Sequence, residues 1–224
     1  MPPSTAGATA GLEDSGQAPA NRLNAGELLD PAISRQRELG VKTQIFNNFL
    51  LQLAYFDIER AAAFADPVTN IFQVNGDANY SGLELSATGE LTSNLSVAAS
   101  ALLMNAELNT PDMNTDGNVP ENTPEKTASL FGEYRLGMVP GLFLSAGVFY
   151  VDEQAVNALN QAFIDSYTIG SIGARYVTSF GKERTTFQLV VDNVTDKNYW
   201  STAGNGFIGV GRPRTLKATV RVDF

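Results

Sequence analysis

The sequence predicts an all-β protein, specifically an antiparallel up-and-down β-barrel that crosses a membrane with its strands. Three observations lead to this prediction. Apolar and polar residues alternate with a period of two, short connections take turns with long ones, and no apolar run reaches the ~20 residues that a membrane helix needs. The chain is 43% hydrophobic and only 17% charged, which is enough apolar material for a folded structure.

The alternation is clearest in the last segment of the chain, where apolar residues occupy one face and charged or hydroxyl residues the other. The apolar positions are Leu216, Ala218, Val220, Val222 and Phe224. A helix would distribute these residues around its axis, so the segment is predicted to be a strand.

About nine strands follow from this rhythm. They cover residues 34–45, 49–60, 71–91, 94–107, 125–136, 142–154, 165–178, 184–193 and 212–224. Between them, tight turns alternate with long loops at 61–70, 108–124, 155–164 and 194–211, as in membrane barrels. Since an odd number of antiparallel strands cannot close on itself, further strands are expected before residue 34.

Residues 1–26 are predicted to be a flexible leader or part of a long loop. They are rich in Ala, Gly, Pro, Ser and Thr, and they contain no aromatic residue. Residues 27–224 are assigned to the barrel. Aromatic residues near the predicted strand ends are typical of the girdles at lipid interfaces, and the candidates are Tyr134, Tyr150, Tyr176, Tyr199 and Trp200.

The composition argues against an enzyme. The chain contains no histidine and no cysteine, which removes the imidazole base, the thiolate nucleophile and the commonest metal ligands. A net charge of −9 and scattered basic residues argue against a nucleic-acid partner. No catalytic residue, cofactor site or metal site is therefore assigned.

One acidic segment resembles the opening of a calcium loop, with oxygen-bearing side chains at alternate positions. These residues are Asp112, Asn114 and Asp116, followed by Gly117. Thr123 stands where such a loop needs a bidentate Glu, so a polar turn is favoured over a calcium site.

A family resemblance is carried by short segments in a characteristic order. They are residues 34–42, 55–58, 75–76, 81–85, 122–127, 192–200, 211–214 and the terminal Phe224. Together they resemble the C-terminal half of the TonB-dependent siderophore receptors, although Ser81 stands where that family often has a basic residue. The motif residues are Gln36, Glu38, Gly40, Gly82, Glu84, Pro124, Asn193, Asp196, Lys197, Tyr199, Gly211, Pro213 and Arg214.

This resemblance implies a larger, 22-stranded barrel whose lumen is filled by an N-terminal plug domain. It implies a location in the outer membrane of a Gram-negative bacterium and the import of ferric siderophores, energised by a TonB complex acting through the plug. No segment of this chain resembles that plug, so the segment alone is not expected to transport.

The implied partners are outer-membrane lipid, a ferric siderophore ligand, the TonB complex and the barrel assembly machinery. The machinery would read the terminal strand with its apolar residues at every second position, ending at Phe224. An ordinary amphipathic strand that ends in Phe would have the same pattern. Two other protein classes stay open: a small outer-membrane pore or structural barrel, and a secreted soluble β-sandwich binding module.

Overall fold

The computed structural model describes residues 4–13, 16–45, 48–181, 183–204 and 206–223. Within these ranges the chain forms fourteen strands and no helix. The strands are β1 Ser4–Glu13, β2 Ala32–Ile45, β3 Phe49–Ala65, β4 Phe72–Thr92, β5 Leu95–Asn109, β6 Lys126–Arg135, β7 Leu142–Val151, β8 Gln154–Ala155, β9 Phe163–Ile164, β10 Tyr167–Phe180, β11 Glu183–Asp192, β12 Trp200–Gly204, β13 Phe207–Val210 and β14 Thr215–Asp223.

Ten of these strands form one sheet in the order β1-β2-β3-β4-β5-β6-β7-β10-β11-β14, while β12-β13 and β8-β9 are small separate pairs. Every neighbouring pair is antiparallel, so the up-and-down arrangement predicted from the sequence is confirmed. The nine predicted strands correspond to the last nine strands of this sheet. The largest difference is at the loop predicted for 61–70, where β3 extends to Ala65 and leaves only 66–71 as the connection to β4.

The expectation that residues 1–26 contain no strand is wrong for residues 4–13. These residues form β1, which pairs with β2 from Ser4↔Val41 to Glu13↔Ala32. Most of its side chains are Ala, Gly or Thr, so it carries no apolar alternation, and the ladder to β2 supplies the hydrogen bonds that its own sequence does not predict. Residues 16–26 lie in the following loop.

β1 is itself a strand before residue 34, as the odd number of predicted strands led us to expect. With ten antiparallel strands, the first and the last run in opposite directions, so parity no longer forbids their pairing. Among the described residues β1 and β14 are not paired with each other, and the sheet is not closed.

The register gives the sheet two chemically different faces. We call the apolar face the outer face and the polar face the luminal face. One row of paired outer positions contains Tyr134, Leu144, Ala174, Leu189 and Ala218, and the adjacent luminal row contains Arg135, Phe143, Arg175, Gln188 and Thr219. The predicted alternation of apolar and polar positions therefore continues across the last five strands of the sheet.

The apolar rows are not covered by another layer of the protein. Leu39 is 61% exposed, Leu216 65% and Val220 63%, and among the described residues no large side chain is fully buried. A soluble β-sandwich would bury such rows between two sheets, so the chain does not have that architecture. In the part of the chain that the structure describes, no helix is long and apolar enough to cross a membrane.

Candidate functional site: the luminal wall and the long loops

The outer face carries a continuous band without charge. Across the described strands, the outer positions from Val41 to Ile45 on β2 and from Leu216 to Val222 on β14, and the positions paired between them, hold no charged side chain. Tyr134, Tyr150 and Tyr176 lie on this face near strand ends, as expected for a girdle. Such a band fits the hydrocarbon layer of a membrane.

Five of the motif residues lie together on the luminal wall. Gln36, Glu38 and Gly40 are on β2, Gly82 and Glu84 are on β4, and all share the luminal register. Gln36 Nε2 donates to Glu38 Oε2 at 3.3 Å. The carboxylates of Glu38 and Glu84 line one open cavity of ≈ 360 Å³. The structure thus joins two segments that lie far apart in the sequence.

Gly82 is required by the close approach of β5. A Cβ atom at this position would lie 2.3 Å from the backbone oxygen of Leu103 and 2.9 Å from Met104 Cα, and neither can move without shifting the strand. The motif glycine is therefore explained by strand packing and not by ligand contact.

We expect Gly82→Ala to destabilise the folded chain by about 1–3 kcal/mol, because the added methyl group overpacks a backbone contact. Gly132→Ala is the matched control, since a Cβ there would meet nothing closer than Ser96 O at 3.9 Å. Urea unfolding of both variants in detergent measures the difference. Equal midpoints for the two would contradict the overpacking.

A second group of motif residues forms a clasp between the end of β11 and the start of β14. Asn193 is 3% exposed, has a positive φ of 49° and stands at its centre. Its Oδ1 accepts from the Lys197 backbone N–H at 2.9 Å, and its Nδ2 donates to Lys197 O at 2.8 Å and Arg212 O at 3.0 Å. One amide side chain thereby holds two segments together.

Two further contacts complete this clasp. Asp196 Oδ1 accepts from the Arg214 backbone N–H at 3.0 Å, and its carboxylate forms an ion pair with the Arg214 guanidinium at 3.3 Å. Gly211 lies against the Tyr199 ring, where a Cβ would come within 2.4 Å of the ring carbons. The two motif segments, 193–199 and 211–214, therefore hold each other in place through hydrogen bonds, an ion pair and a ring contact.

Tyr199 and Trp200 do not belong to an outer girdle, contrary to the sequence-based expectation. The Tyr199 ring lies 4.3 Å from the ring of Tyr167, which occupies a luminal register position, and the expectation failed because the chain leaves the sheet after Asp192. A cavity of ≈ 330 Å³ lies between this segment and the luminal wall, and Phe131 and Phe149 line it.

Three asparagines connect the long loops, and the sequence analysis assigned this role to none of them, although Asn122 lies in the motif segment 122–127. Asn160 Nδ2 donates to Val119 O at 2.8 Å while its Oδ1 accepts from the Val119 N–H at 2.9 Å, and Asn118 Nδ2 donates to Ala158 O at 2.9 Å. Asn122 Oδ1 accepts from Thr202 Oγ1 at 2.8 Å. The available signal was Asn in turns, since Asn122 and Asn160 both have positive φ.

A cavity of ≈ 380 Å³, which we call the vestibule, opens beneath these loops at the long-loop end of the sheet. Tyr80 and Arg60 contribute to it from luminal register positions on β4 and β3, and Phe64, Pro120 and Glu121 also line it. An aromatic hydroxyl, a guanidinium and apolar surface together can hold a ligand that has polar groups on an apolar body.

The neighbouring turn between β3 and β4 is held by a carboxylate. The Thr69 backbone N–H donates to Asp66 Oδ1 at 2.7 Å, and this hydrogen bond holds the pKa of the Asp66 carboxyl below its ordinary value. The ionised form therefore stabilises the turn above the ordinary pKa, and this contribution is lost as the pH falls through the lowered pKa.

The remaining sequence candidates stay apart from these groups. Pro124 precedes β6 and belongs to neither the luminal wall group nor the clasp. Leu216, Ala218, Val220 and Val222 lie on the outer face of β14, whereas Phe224 is outside the described residues. Their reading by assembly machinery stays a prediction.

The carboxylate oxygen atoms of the acidic loop segment accept hydrogen bonds from backbone N–H groups of the same loop. Asp112 Oδ1 accepts from the Asn114 backbone N–H at 3.0 Å, and Asp116 Oδ1 accepts from the Thr110 backbone N–H at 3.0 Å. No group of acidic residues that could hold a metal ion occurs within the described ranges. The arrangement agrees with the polar turn that the sequence favours.

Known proteins with similar sequences and structures include membrane receptors. A family described as "TonB dependent receptor-like, beta-barrel" matches residues 1–194. The ferrichrome receptor FcuA of Yersinia enterocolitica is 30% identical over 90% of this chain, and a ferrioxamine receptor of the same organism is 30% identical over 88%. The crystal structure of BauA, the ferric preacinetobactin receptor of Acinetobacter baumannii, superposes with a TM-score of 0.88 at 29% identity over 99% of this chain.

The chain spans only part of these relatives. It covers 27% of the ferrichrome receptor, 28% of the ferrioxamine receptor and 34% of the preacinetobactin receptor chain. The open ten-stranded sheet accordingly resembles a portion of a larger barrel wall.

Proposed function

Because this chain belongs to the family of TonB-dependent receptors, we propose that it is the C-terminal part of the barrel of an outer-membrane receptor that imports ferric siderophores. The single observation that carries the proposal is the two-faced sheet, with an uncharged outer band and a polar luminal wall beneath linked loops. The names of the relatives supply the ligand class, since ferrichrome, ferrioxamine and preacinetobactin receptors all resemble the chain.

In this proposal residues 27–224 are barrel wall and loops, as the sequence predicts, and β1 adds one more strand of wall. The outer band contacts lipid of a Gram-negative outer membrane. The luminal face surrounds a plug domain, through which the TonB complex supplies energy. The barrel assembly machinery inserts the chain by way of its terminal strand.

The vestibule is the proposed region of first ligand contact. It lies at the long-loop end, which faces the outside of the cell in a barrel of this orientation. Hydrogen bonds through Asn118, Asn122 and Asn160 hold the loops above it in one arrangement before any ligand arrives, so little ordering entropy is lost on binding.

The test is iron uptake by the receptor that carries these 224 residues, produced in an Escherichia coli strain without its own siderophore receptors. We expect uptake of radioactive iron from at least one of a panel of hydroxamate and catecholate chelates, and we expect deletion of tonB to abolish it. Tyr80→Leu should raise the chelate concentration needed for half-maximal uptake about tenfold, the effect of losing ~1.4 kcal/mol of contact.

Tyr55→Leu is the matched control for that variant. This substitution makes the same chemical change on the outer face of β3, away from the vestibule, and should leave uptake unchanged. Two results would overturn the proposed function. One is uptake that persists after deletion of tonB, and the other is the absence of iron uptake from every ferric chelate in the panel.

A further inference from the structure

The luminal wall gathers arginines at the end opposite the vestibule, where tight turns connect the strands. Arg135, Arg175, Arg184 and Arg221 all occupy luminal register positions there, and we call them the short-turn arginine cluster. They are four of the 15 basic residues in a chain whose net charge is −9. A concentration of positive charge on one wall of an acidic chain indicates an anionic partner.

The cluster surrounds a defined space. Arg175, Arg184 and Arg221 line one cavity of ≈ 290 Å³ together with Asp223. Arg175 and Arg135 both flank the ring of Phe143 on β7, with guanidinium carbons 4.0 Å and 5.6 Å from the ring centre. The aromatic ring therefore holds two of the guanidinium groups close to the luminal wall.

Two members of the cluster are neutralised within the chain. Arg175 forms a two-pronged pair with Glu133, with Nη2 to Oε1 at 2.5 Å and Nε to Oε2 at 3.2 Å. Arg221 Nε donates to Asp223 Oδ1 at 2.7 Å. These pairs account for Glu133 and Asp223, while Glu90, a third carboxylate in the luminal register toward this end, accepts a hydrogen bond from Asn48 Nδ2 at 3.3 Å.

Two cations are left over. In the part of the chain that the structure describes, neither Arg135 nor Arg184 makes an ion pair or a side-chain hydrogen bond. In open water such unpaired guanidinium groups cost little. On a wall that another polypeptide covers, each would lose its hydration and would need a carboxylate to replace it.

We propose that the short-turn arginine cluster docks an acidic peptide segment inside the lumen, with carboxylates opposite Arg135 and Arg184. The inference rests on the proposed function in one respect, namely that a polypeptide fills this lumen. Guanidinium groups bind carboxylates through two parallel hydrogen bonds, so a segment with two acidic side chains matches the two surplus cations. The pairs Arg175–Glu133 and Arg221–Asp223 hold the cluster in position on either side.

The experiment measures binding of a fluorescent hexaglutamate peptide, with blocked ends, to the 224-residue chain folded in detergent. We expect fluorescence anisotropy to detect binding at 20 mM salt and a marked weakening at 200 mM salt, because screening shortens the range of exposed charges. The double variant Arg135→Gln/Arg184→Gln should weaken binding at least about tenfold through the loss of charge-assisted hydrogen bonds.

The matched control is Arg35→Gln/Arg37→Gln, which removes the same charge from the outer face of β2 at the opposite end of the sheet. This control should bind the peptide within about twofold of the unchanged chain, since the removed charges lie well beyond a Debye length from the cluster. Heat-modifiable migration on a gel verifies that both variants are folded.

Three outcomes would overturn the inference: no binding of hexaglutamate, equal weakening in the two double variants, or displacement of the peptide by inorganic phosphate at equal charge concentration. The assay involves no iron and no transport. A failure here therefore leaves the uptake test of the proposed function untouched, and a failure of uptake leaves this binding result untouched.

Discussion

Ala218→Arg prevents the chain from folding into detergent or lipid, whereas Thr219→Arg folds: this is the largest difference that we expect between neighbouring substitutions. Ala218 lies in an outer row whose paired positions are Leu189, Ala174 and Leu144. An arginine among them would meet hydrocarbon, at a cost of ~2–4 kcal/mol near the middle of a bilayer.

Thr219 lies one residue further along β14 and faces the lumen, where its row contains Gln188 and Arg175. An arginine there stays in water, and its repulsion from Arg175 is screened to about the size of a surface ion pair, up to ~1 kcal/mol. The measurement is the heat-modifiable fraction on a gel after refolding, together with circular dichroism. Equal damage from both substitutions would contradict the assigned faces.

Asn193→Ala opens the clasp between residues 193–199 and 211–214. The variant loses three hydrogen bonds, leaves the carbonyls of Lys197 and Arg212 without this donor, and places Ala at a positive φ. At about 1 kcal/mol for each hydrogen bond, the clasp loses roughly 3 kcal/mol. We expect the segment to separate from the luminal wall as a result.

The chain contains a single tryptophan, Trp200, which directly follows the clasp and is 44% exposed. Its fluorescence therefore reports on this segment without interference. We expect a red-shifted emission and stronger acrylamide quenching in Asn193→Ala. Asn198→Ala is the control, because Asn198 is exposed and makes none of these bonds. Identical quenching in the two variants would show that the Asn193 amide does not hold the clasp.

Much of the fold could be predicted because most strands of such a barrel alternate apolar residues on one face with polar residues on the other. Leu216 to Val222 read as one apolar face next to one polar face, and the observed pairing with β11 keeps that division. β1 could not be predicted in this way. Its Ala, Gly and Thr residues have no preference for either face, and only its ladder to β2 makes it a strand.

The candidate site could be predicted as a set of residues but not as an arrangement. The motif pointed to Asn193, Asp196, Tyr199, Gly211 and Arg214 without indicating what joins them. The structure assigns most of them to packing and hydrogen bonding within the clasp, since Gly211 makes room for the Tyr199 ring and Asp196 binds Arg214. Glu133 and Arg175 carried no motif, and their pairing across two strands depends on register.

In strands such as β4, β6 and β14, the sequence by itself determined which residues lie on the apolar outer face and which on the polar luminal face, because the period-two pattern is local and each of these strands carries it. Only the tertiary structure decided which luminal charges meet. Through the register of strands that are far apart in the chain, Arg175 reaches Glu133, whereas neither Arg135 nor Arg184 forms an ion pair within the described ranges. The physical reason is that alternation constrains the side to which a residue points, while hydrogen bonds between strands set its neighbours.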